Sequence, residues 1–399
     1  MSRTIRYFAT NRDRERLGNR FQANERIKLQ EGGYHWVDTD RCMAQYLGTT
    51  DPTFIPLEAV VQDSKQEVLA VMLADASIRQ VVIGIHGFNV PLHGAITSFS
   101  LLAEAVQQEI ARAGALLVMT PEEFNMAAGQ EKIVFIGFSW PSDGSVVAYQ
   151  SDRNEATQST AALANLIGLI RTKNPSTKVS VIAHSMGNYL TCTMLSDLVN
   201  RLHWPAQAYD QDPRGAALKK RLERRRDDAN GNLIQEPDDS FLDLYIMLAP
   251  DVERREVTQC GKVEVQDGRL AANGQLEYNG PFYGGLKHLV GHTHLFYSRH
   301  DNALKASVLE KEALREPLSK LKERLTGTDL QRRWESSLGL NPLPSLAPPN
   351  MTGHNATLLT NRPIDHGDYF DAPQIIREIA GLLLDKPVES KTSGGTFSP

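Results

Sequence analysis

The sequence predicts an α/β fold: a mostly parallel sheet with helices on both faces. Three observations carry this. Short apolar runs alternate with stretches of helical periodicity from residue 80 to residue 385. Several of those runs are apolar without alternation, as strands buried on both faces must be. One run ends in Ala183-His184-Ser185-Met186-Gly187 and gives way at once to a helix-like segment. That is the grammar of a strand feeding a sharp turn that holds a serine at its apex.

Taken in order, Ile5–Ala9 and Val68–Leu73 read as leading strands that precede the regular pattern. Val81-Val82-Ile83-Gly84-Ile85 is a buried-strand run, and Leu101, Leu102, Ala105 and Val106 then recur at helical spacing up to Ala115. Ile133-Val134-Phe135-Ile136 is the next strand, followed by a helix through Leu163, Leu166, Ile167 and Ile170. The Val179–Ala183 strand leads into the Ser185 turn, and its helix runs to Asn200. Leu242–Leu248 and His294–Tyr297 are further strands. A helix through Leu304, Val308 and Leu314 follows. Ala356–Thr360 is strand-like, and a last helix from Ile375 to Leu384 closes the pattern. Repeated units of this kind bury one sheet between two helical layers.

Two insertions interrupt the alternation. Residues 201–240 carry Arg214, Lys219, Lys220, Arg221, Arg224, Arg225 and Arg226, with Glu223 interleaved. Residues 252–291 contain a hairpin signal over Val263–Leu270, with Asp267-Gly268 as its two-residue turn. Residues 339–356 are rich in Pro and Asn and read as irregular, and the polar tail from Lys386 reads as disordered.

A chain of 399 residues with 41% hydrophobic residues can bury one large core. Its net charge of −5 argues against nucleic acid as the main partner. Cys42, Cys192 and Cys260 are odd in number and widely spaced. They make neither a disulfide framework nor a CxxC metal signature, which suits a reducing compartment. The start, Met-Ser-Arg-Thr-Ile-Arg-Tyr-Phe, is charged and lacks the apolar centre of a signal peptide. No run reaches the about 18 apolar residues of a transmembrane helix. The expectation is therefore a cytoplasmic protein, with export by a route without a cleavable signal left open.

Small residues at positions minus two and plus two, here Ala183 and Gly187, allow the close strand–helix contact that a serine turn needs. Such a serine requires a base, an orienting acid and an oxyanion hole. In proteins of this grammar the acid and the histidine follow the serine. His366, just before the last helix, is the candidate base, with His354 as the fallback. Two acids compete. Asp301 follows the later strand and is preferred; Asp251 follows the earlier one. Asp301 would otherwise cap the helix that begins near Ala303. Asp365 adjoins the base, and His184 flanks the serine with its side chain directed away. Neither is assigned proton transfer. Two backbone N–H groups should hold the oxyanion, those of Met186 and of Phe88 in His86-Gly87-Phe88-Asn89.

Phe138-Ser139-Trp140-Pro141-Ser142-Asp143-Gly144, with Tyr149, Asp152, Ala156 and Ser159, resembles a bacterial α/β-hydrolase family described only as a domain of unknown function. His86-Gly87-Phe88-Asn89, the serine turn, Ala249-Pro250-Asp251 and Tyr297-Ser298-x-x-Asp301-x-Ala303-Leu304 resemble it in the same order, as does Thr10-Asn11-Arg12. The resemblance covers most of residues 1–385 and implies Ser185, Asp301 and His366 as a catalytic triad. It implies no particular substrate.

Other residues carry two readings each. Trp140 and Tyr149 either line the substrate pocket, since ligands bind at the carboxyl ends of such strands, or pack the core beneath the loop. Asp152 orders its loop. His292-x-His294, with His300 and Asp301, is the nucleus of an alternative zinc hydrolase, but it lacks a third ligand at a recognised spacing. The basic 214–226 segment is a solvated cap helix, or a surface for an anionic membrane in a lipase-like enzyme. Its place suits a lid over residues 201–240.

The expectation is an α/β-hydrolase domain over residues 1–385 with a cap-like insertion, followed by a disordered tail over 386–399. It would cleave carboxylic esters through an acyl-enzyme, with no cofactor and no metal. The substrate would be a small-molecule or lipid ester. A thioesterase or amidase using the same residues, and a non-catalytic hydrolase fold acting as a binding module, are the alternatives.

Overall fold

The computed structural model of the chain describes residues 4–12, 33–48, 60–62, 65–142, 149–200, 240–260, 278–315 and 336–385. The cap-like insertion, the 263–270 hairpin, the basic 214–226 segment and the 386–399 tail lie outside the described residues.

Nine strands form the main sheet: β1 (Phe8–Thr10), β2 (His35–Trp36), β3 (Ile78–Ile85), β4 (Leu117–Val118), β5 (Lys132–Ser139), β6 (Lys178–His184), β7 (Leu242–Leu248), β10 (Val290–Tyr297) and β11 (Met351–Asn355). Their order is β11-β10-β7-β6-β3-β5-β1-β2, with β4 also paired to β5. Every pairing is parallel except that of β1 with β2. Two short strands, β8 (Gln259–Cys260) and β9 (Tyr278–Asn279), pair apart from it.

The helices divide between the two faces because each strand alternates its side chains. Val81, Ile83, Val134, Ile136, Val181, Tyr245 and Met247 point to one face. There they meet α2 (Lys65–Leu73), α5 (Tyr149–Gln158), α6 (Thr160–Lys173), α7 (Met186–Asn200) and α8 (Tyr283–Leu289). Val82, Ile133, Phe135, Ile182, Ile246 and Leu248 point to the other. They meet α3 (Leu92–Arg112), α9 (Asn302–Arg315) and α11 (Pro373–Leu383). The α3 stripe of Ile96, Phe99, Leu102, Val106 and Ile110 is fully buried. Each such side chain contributes about 1.5–3 kcal/mol by leaving water. The helix α1 (Thr39–Gly48) adds Cys42 to this second face, and the short α4 (Pro121–Met126) follows β4 in the chain.

Three local expectations are corrected. Val68–Leu73 is the end of helix α2, not a strand. Leu69, Met72 and Leu73 are buried while Val71 is exposed, a helical stripe that the short apolar run concealed. Ala356–Thr360 is the helix α10, because the Asn355 side chain accepts from the Leu358 N–H at its start and Asn361 closes it at φ 54°. The strand lies just before it, as β11, inside a stretch expected to be irregular. The first strand is Phe8–Thr10, parallel to β5 on one side and antiparallel to β2 on the other.

The strands β3, β5, β6, β7 and β10 all end at one edge of the sheet. Their following loops carry His86, Trp140, Ser185, Asp251 and Asp301. The topology thus gathers distant parts of the sequence at the carboxyl ends of the strands, where ligands bind open α/β sheets.

Candidate active site

Ser185 joins β6 to α7 in the left-handed region, at φ 52°. A non-glycine residue persists there only when its surroundings over-determine it. Gly187 is one reason: a Cβ would fall 2.5 Å from the His86 carbonyl oxygen and 2.7 Å from that of Ile85. Gly87 is another, since its Cβ would lie 2.6 Å from Ser185 Cβ. The β3 loop and the serine turn are therefore packed backbone to backbone.

The turn is pinned by a residue that the sequence reading passed over. The Asn188 side-chain amide is fully buried and donates to the carbonyls of Ala183, Ser185 and Leu248, each at 3.1 Å. Its Oδ1 accepts from the Tyr245 hydroxyl at 2.9 Å. The Asp251 N–H adds a bond to the Ser185 carbonyl. A polar residue directly after Ser-Met-Gly, on an otherwise apolar helix start, was the available signal.

Of the two candidate acids, Asp301 meets the candidate base. Its Oδ2 lies 2.8 Å from His366 Nδ1, and its Oδ1 accepts the Leu304 N–H at 2.9 Å. Asp301 is fully buried, whereas the His366 side chain keeps 24% of its exposure. Asp251 is buried elsewhere, accepting from the Tyr149 and Ser307 hydroxyls at 2.7 Å each. The fallback base His354 is remote from Asp301 in its bonding: it pairs with His294 at 2.9 Å and faces Glu378. His294 and Asp301 thus serve different partners. Among the described residues no group of three His, Cys, Asp or Glu side chains is placed to hold a metal ion.

The loop that carries His366 is held at several points. Asp365 accepts from the Asn302 and His366 N–H groups at 2.9 Å each and from the Asn302 side chain at 3.2 Å. These bonds, the Asn302 N–H foremost, hold its carboxyl below the ordinary carboxylate range. The buried Ser298 hydroxyl donates to the Ile364 carbonyl at 2.6 Å. His184 adds a contact that the sequence reading did not foresee. Its Nε2–H donates to the His366 carbonyl at 2.9 Å, and its ring lies 4.5 Å from the His366 ring. Burial, reinforced by His366, pushes the His184 pKa well below its usual value, so the ring is neutral. Among the described residues Ser185 Oγ engages no hydrogen-bond partner.

The Phe88 ring packs edge-on against Tyr149, with ring centroids 5.7 Å apart. Met186 is the first residue of α7, so its N–H has no intrahelical acceptor. Trp140 is fully buried beneath this loop, where its indole N–H donates to the His86 carbonyl at 2.9 Å and its ring stacks on the imidazole. That is the packing reading of Trp140, and Tyr149, 4% exposed and bonded to Asp251, is likewise packed. Asp152 accepts from the Ser142 hydroxyl at 2.7 Å, tying down the loop after β5. A cavity of about 720 Å³ abuts the site. His86, Gly87 and His184 border it on one side, Leu101 and Ala105 of α3 on another, and Phe370 beyond His366 on a third.

Residues 61–362 match the model of a family described as alpha/beta hydrolase of unknown function (DUF900). The chain belongs to that family. Its fold is accordingly the α/β-hydrolase fold, with the serine turn and the loops above at the carboxyl edge of the sheet. A relative, the uncharacterized protein alr1448 of Nostoc sp., is 52% identical over 383 residues, covering 96% of this chain and 94% of its own. Among solved structures, an esterase of Pyrobaculum calidifontis is 12% identical, covering 80% of this chain and 90% of its own with a TM-score of 0.34. Aspergillus fumigatus lipase B is 16% identical, covering 56% and 38% with a TM-score of 0.24. Among the described residues no helix is long and apolar enough to cross a membrane.

Proposed function

We propose that the chain is a serine hydrolase that cleaves carboxylic esters through an acyl-enzyme. The observation that carries this is the Asp301–His366 contact at 2.8 Å, on a loop also bonded to the residue before Ser185. Ser185 Oγ attacks the ester carbonyl. His366 takes the proton and returns it to the leaving alkoxide, while Asp301 holds the imidazole with Nδ1 protonated and Nε2 free to act. The N–H groups of Phe88 and Met186 receive the oxyanion. Donors of this kind act mainly in the transition state, at about 2.7–4 kcal/mol each. Water then attacks the acyl-enzyme by the same route.

The Ser185 hydroxyl is without a hydrogen bond among the described residues. Bonds between nucleophile and base are often long in free enzymes and tighten in the Michaelis complex. The neighbouring cavity, with Val90, Leu101, Ala105 and Phe370 beside the acidic Glu104 and Asp371, offers room for an ester of modest size.

The test is labelling with a fluorophosphonate, followed by mass spectrometry of the modified peptide. A phosphonyl adduct on Ser185, absent in Ser185→Ala and greatly slowed in His366→Ala, is expected. A panel of p-nitrophenyl esters, thioesters and anilides then ranks the acyl-transfer classes. No adduct on the folded wild-type protein removes the enzyme reading and leaves a hydrolase fold used for binding.

A further inference from the structure

The chain segment Thr10-Asn11-Arg12, at the end of β1, lies before the part of the chain that matches the family model. Nothing in the reaction above uses it. Yet Arg12 is 4% exposed and reaches under the loop that carries Phe88. Its terminal nitrogen donates to the Val90 carbonyl at 2.7 Å, and its Nε–H donates to Ser139 Oγ at 3.0 Å. Ser139 Oγ in turn lies 3.0 Å from His86 Nε2. Thr10 fixes the geometry, since its hydroxyl donates to the Ser139 carbonyl at 2.8 Å and accepts the Arg12 N–H at 3.1 Å.

The directions of these bonds can be assigned. The Trp140 N–H points at His86 Nε2 from 3.2 Å, and a backbone N–H can only donate. His86 Nε2 is therefore an acceptor without a proton, and the Ser139 hydroxyl donates to it as well. The neutral ring then carries its proton on Nδ1, which donates to the Gly87 carbonyl at 2.8 Å. Burial, with Arg12 nearby, lowers the His86 pKa to about 3, consistent with a ring that never charges at working pH. The Gly87 carbonyl and the Phe88 N–H belong to one planar trans peptide, so they point in opposite directions. Fixing the carbonyl on His86 fixes the line along which the Phe88 N–H is presented.

We propose that Arg12, Ser139 and His86 are positioning residues that orient the Gly87–Phe88 peptide so that its N–H is preset as an oxyanion donor. The N-terminal strand is thereby part of the machinery of the site. The catalytic half of this inference rests on the esterase reading; the tautomer and the peptide orientation do not.

The experiment has two arms. The first is ¹⁵N NMR of the imidazoles in the full chain, with His86 assigned through His86→Gln. His86 is expected as the Nδ1–H tautomer throughout pH 5–8; an Nε2–H tautomer or a charged ring overturns the proposal whether or not any ester is hydrolysed. The second arm compares Arg12→Met, Arg12→Lys and Ser139→Ala with wild type on a short p-nitrophenyl ester and a trifluoromethyl ketone, whose adduct carries the oxyanion. Arg12→Met and Ser139→Ala are expected to lower kcat at least tenfold, with KM within twofold. Ketone affinity should fall in step with kcat, and Arg12→Lys should recover part of the loss. A loss spread into KM, or unchanged ketone affinity in folded Ser139→Ala, overturns the positioning role. If wild type neither hydrolyses esters nor labels at Ser185, the esterase reading fails and the tautomer result stands alone.

Discussion

Asp301 uses its two oxygens for two tasks: Oδ2 meets His366 Nδ1, and Oδ1 caps α9 through the Leu304 N–H. A helix cap and a partner of His366 are competing readings in sequence, but one buried carboxylate makes both contacts. Asp301→Asn keeps the shape but presents the wrong group to Nδ1. It is expected to lower kcat by about four orders of magnitude, the scale seen when such an acid is amidated. Asp251→Asn removes the charge that the Tyr149 and Ser307 hydroxyls share. It should change kcat by less than about tenfold and cost about 1–3 kcal/mol of stability. Steady-state kinetics and urea titration of the pair check both. At Gly187 the added methyl of Gly187→Ala meets two backbone oxygens, at 2.5 and 2.7 Å. Backbone cannot step aside as a flexible side chain can, so the serine turn must shift. The expected outcome is about 1–3 kcal/mol of destabilisation and loss of Ser185 labelling.

At the scale of elements, the site is assembled by loops that are tied to one another. Ser298, after β10, donates to the Ile364 carbonyl and accepts the His300 N–H at 3.1 Å. Asp365 joins the His366 loop to the first residue of α9. Asp301 and His366 thus sit on two loops that are bonded to each other. Ser298→Ala cuts one tie without touching either residue. Its expected effects are a loss of about 1–2 kcal/mol in stability and a kcat about tenfold lower, because small displacements of a positioned base are costly. Faster amide exchange confined to residues 362–368 locates the effect; unchanged exchange there refutes the tie. Sequence periodicity found most of the strands and helices because buried faces demand it. It failed at Val68–Leu73 and Ala356–Thr360, short segments whose type is set by packing and by the Asn355 cap.

Across the whole molecule, several imidazoles are buried in the neutral form. Burial lowers the pKa of His86 to about 3 and of His294 and His354 to about 4, and moves His184 the same way. The unfolded rings bind a proton below about pH 6.5. Between that pH and about 4 the unfolded state therefore holds more protons than the native one. The stability these rings contribute is complete above about pH 6.5 and falls as pH drops through this window. Urea midpoints at pH 7 and pH 5 should show the loss. The double variant His294→Gln, His354→Gln should show a smaller pH dependence, since both rings lie away from the site. An equal dependence in the variant would remove these two rings as its source.

The sequence by itself determined the α/β class, the serine turn and the His-Gly loop. Each is written in neighbouring residues: apolar runs, small residues flanking Ser185, and a strand end before Gly87. It also supplied Asp301 and His366 as candidates, from their place after the last strands. Only the tertiary structure showed which of Asp301 and Asp251 faces the candidate base, because both follow strands and both are buried; the difference lies in which hydroxyl or ring faces them. Only the structure showed Trp140 braced beneath the loop, His184 bonded to the His366 carbonyl, and Arg12 reaching Ser139 across 127 residues of sequence. Local periodicity reports which face of a strand is buried. It carries no information on which distant polar group completes a hydrogen bond, and that pairing is what builds this site.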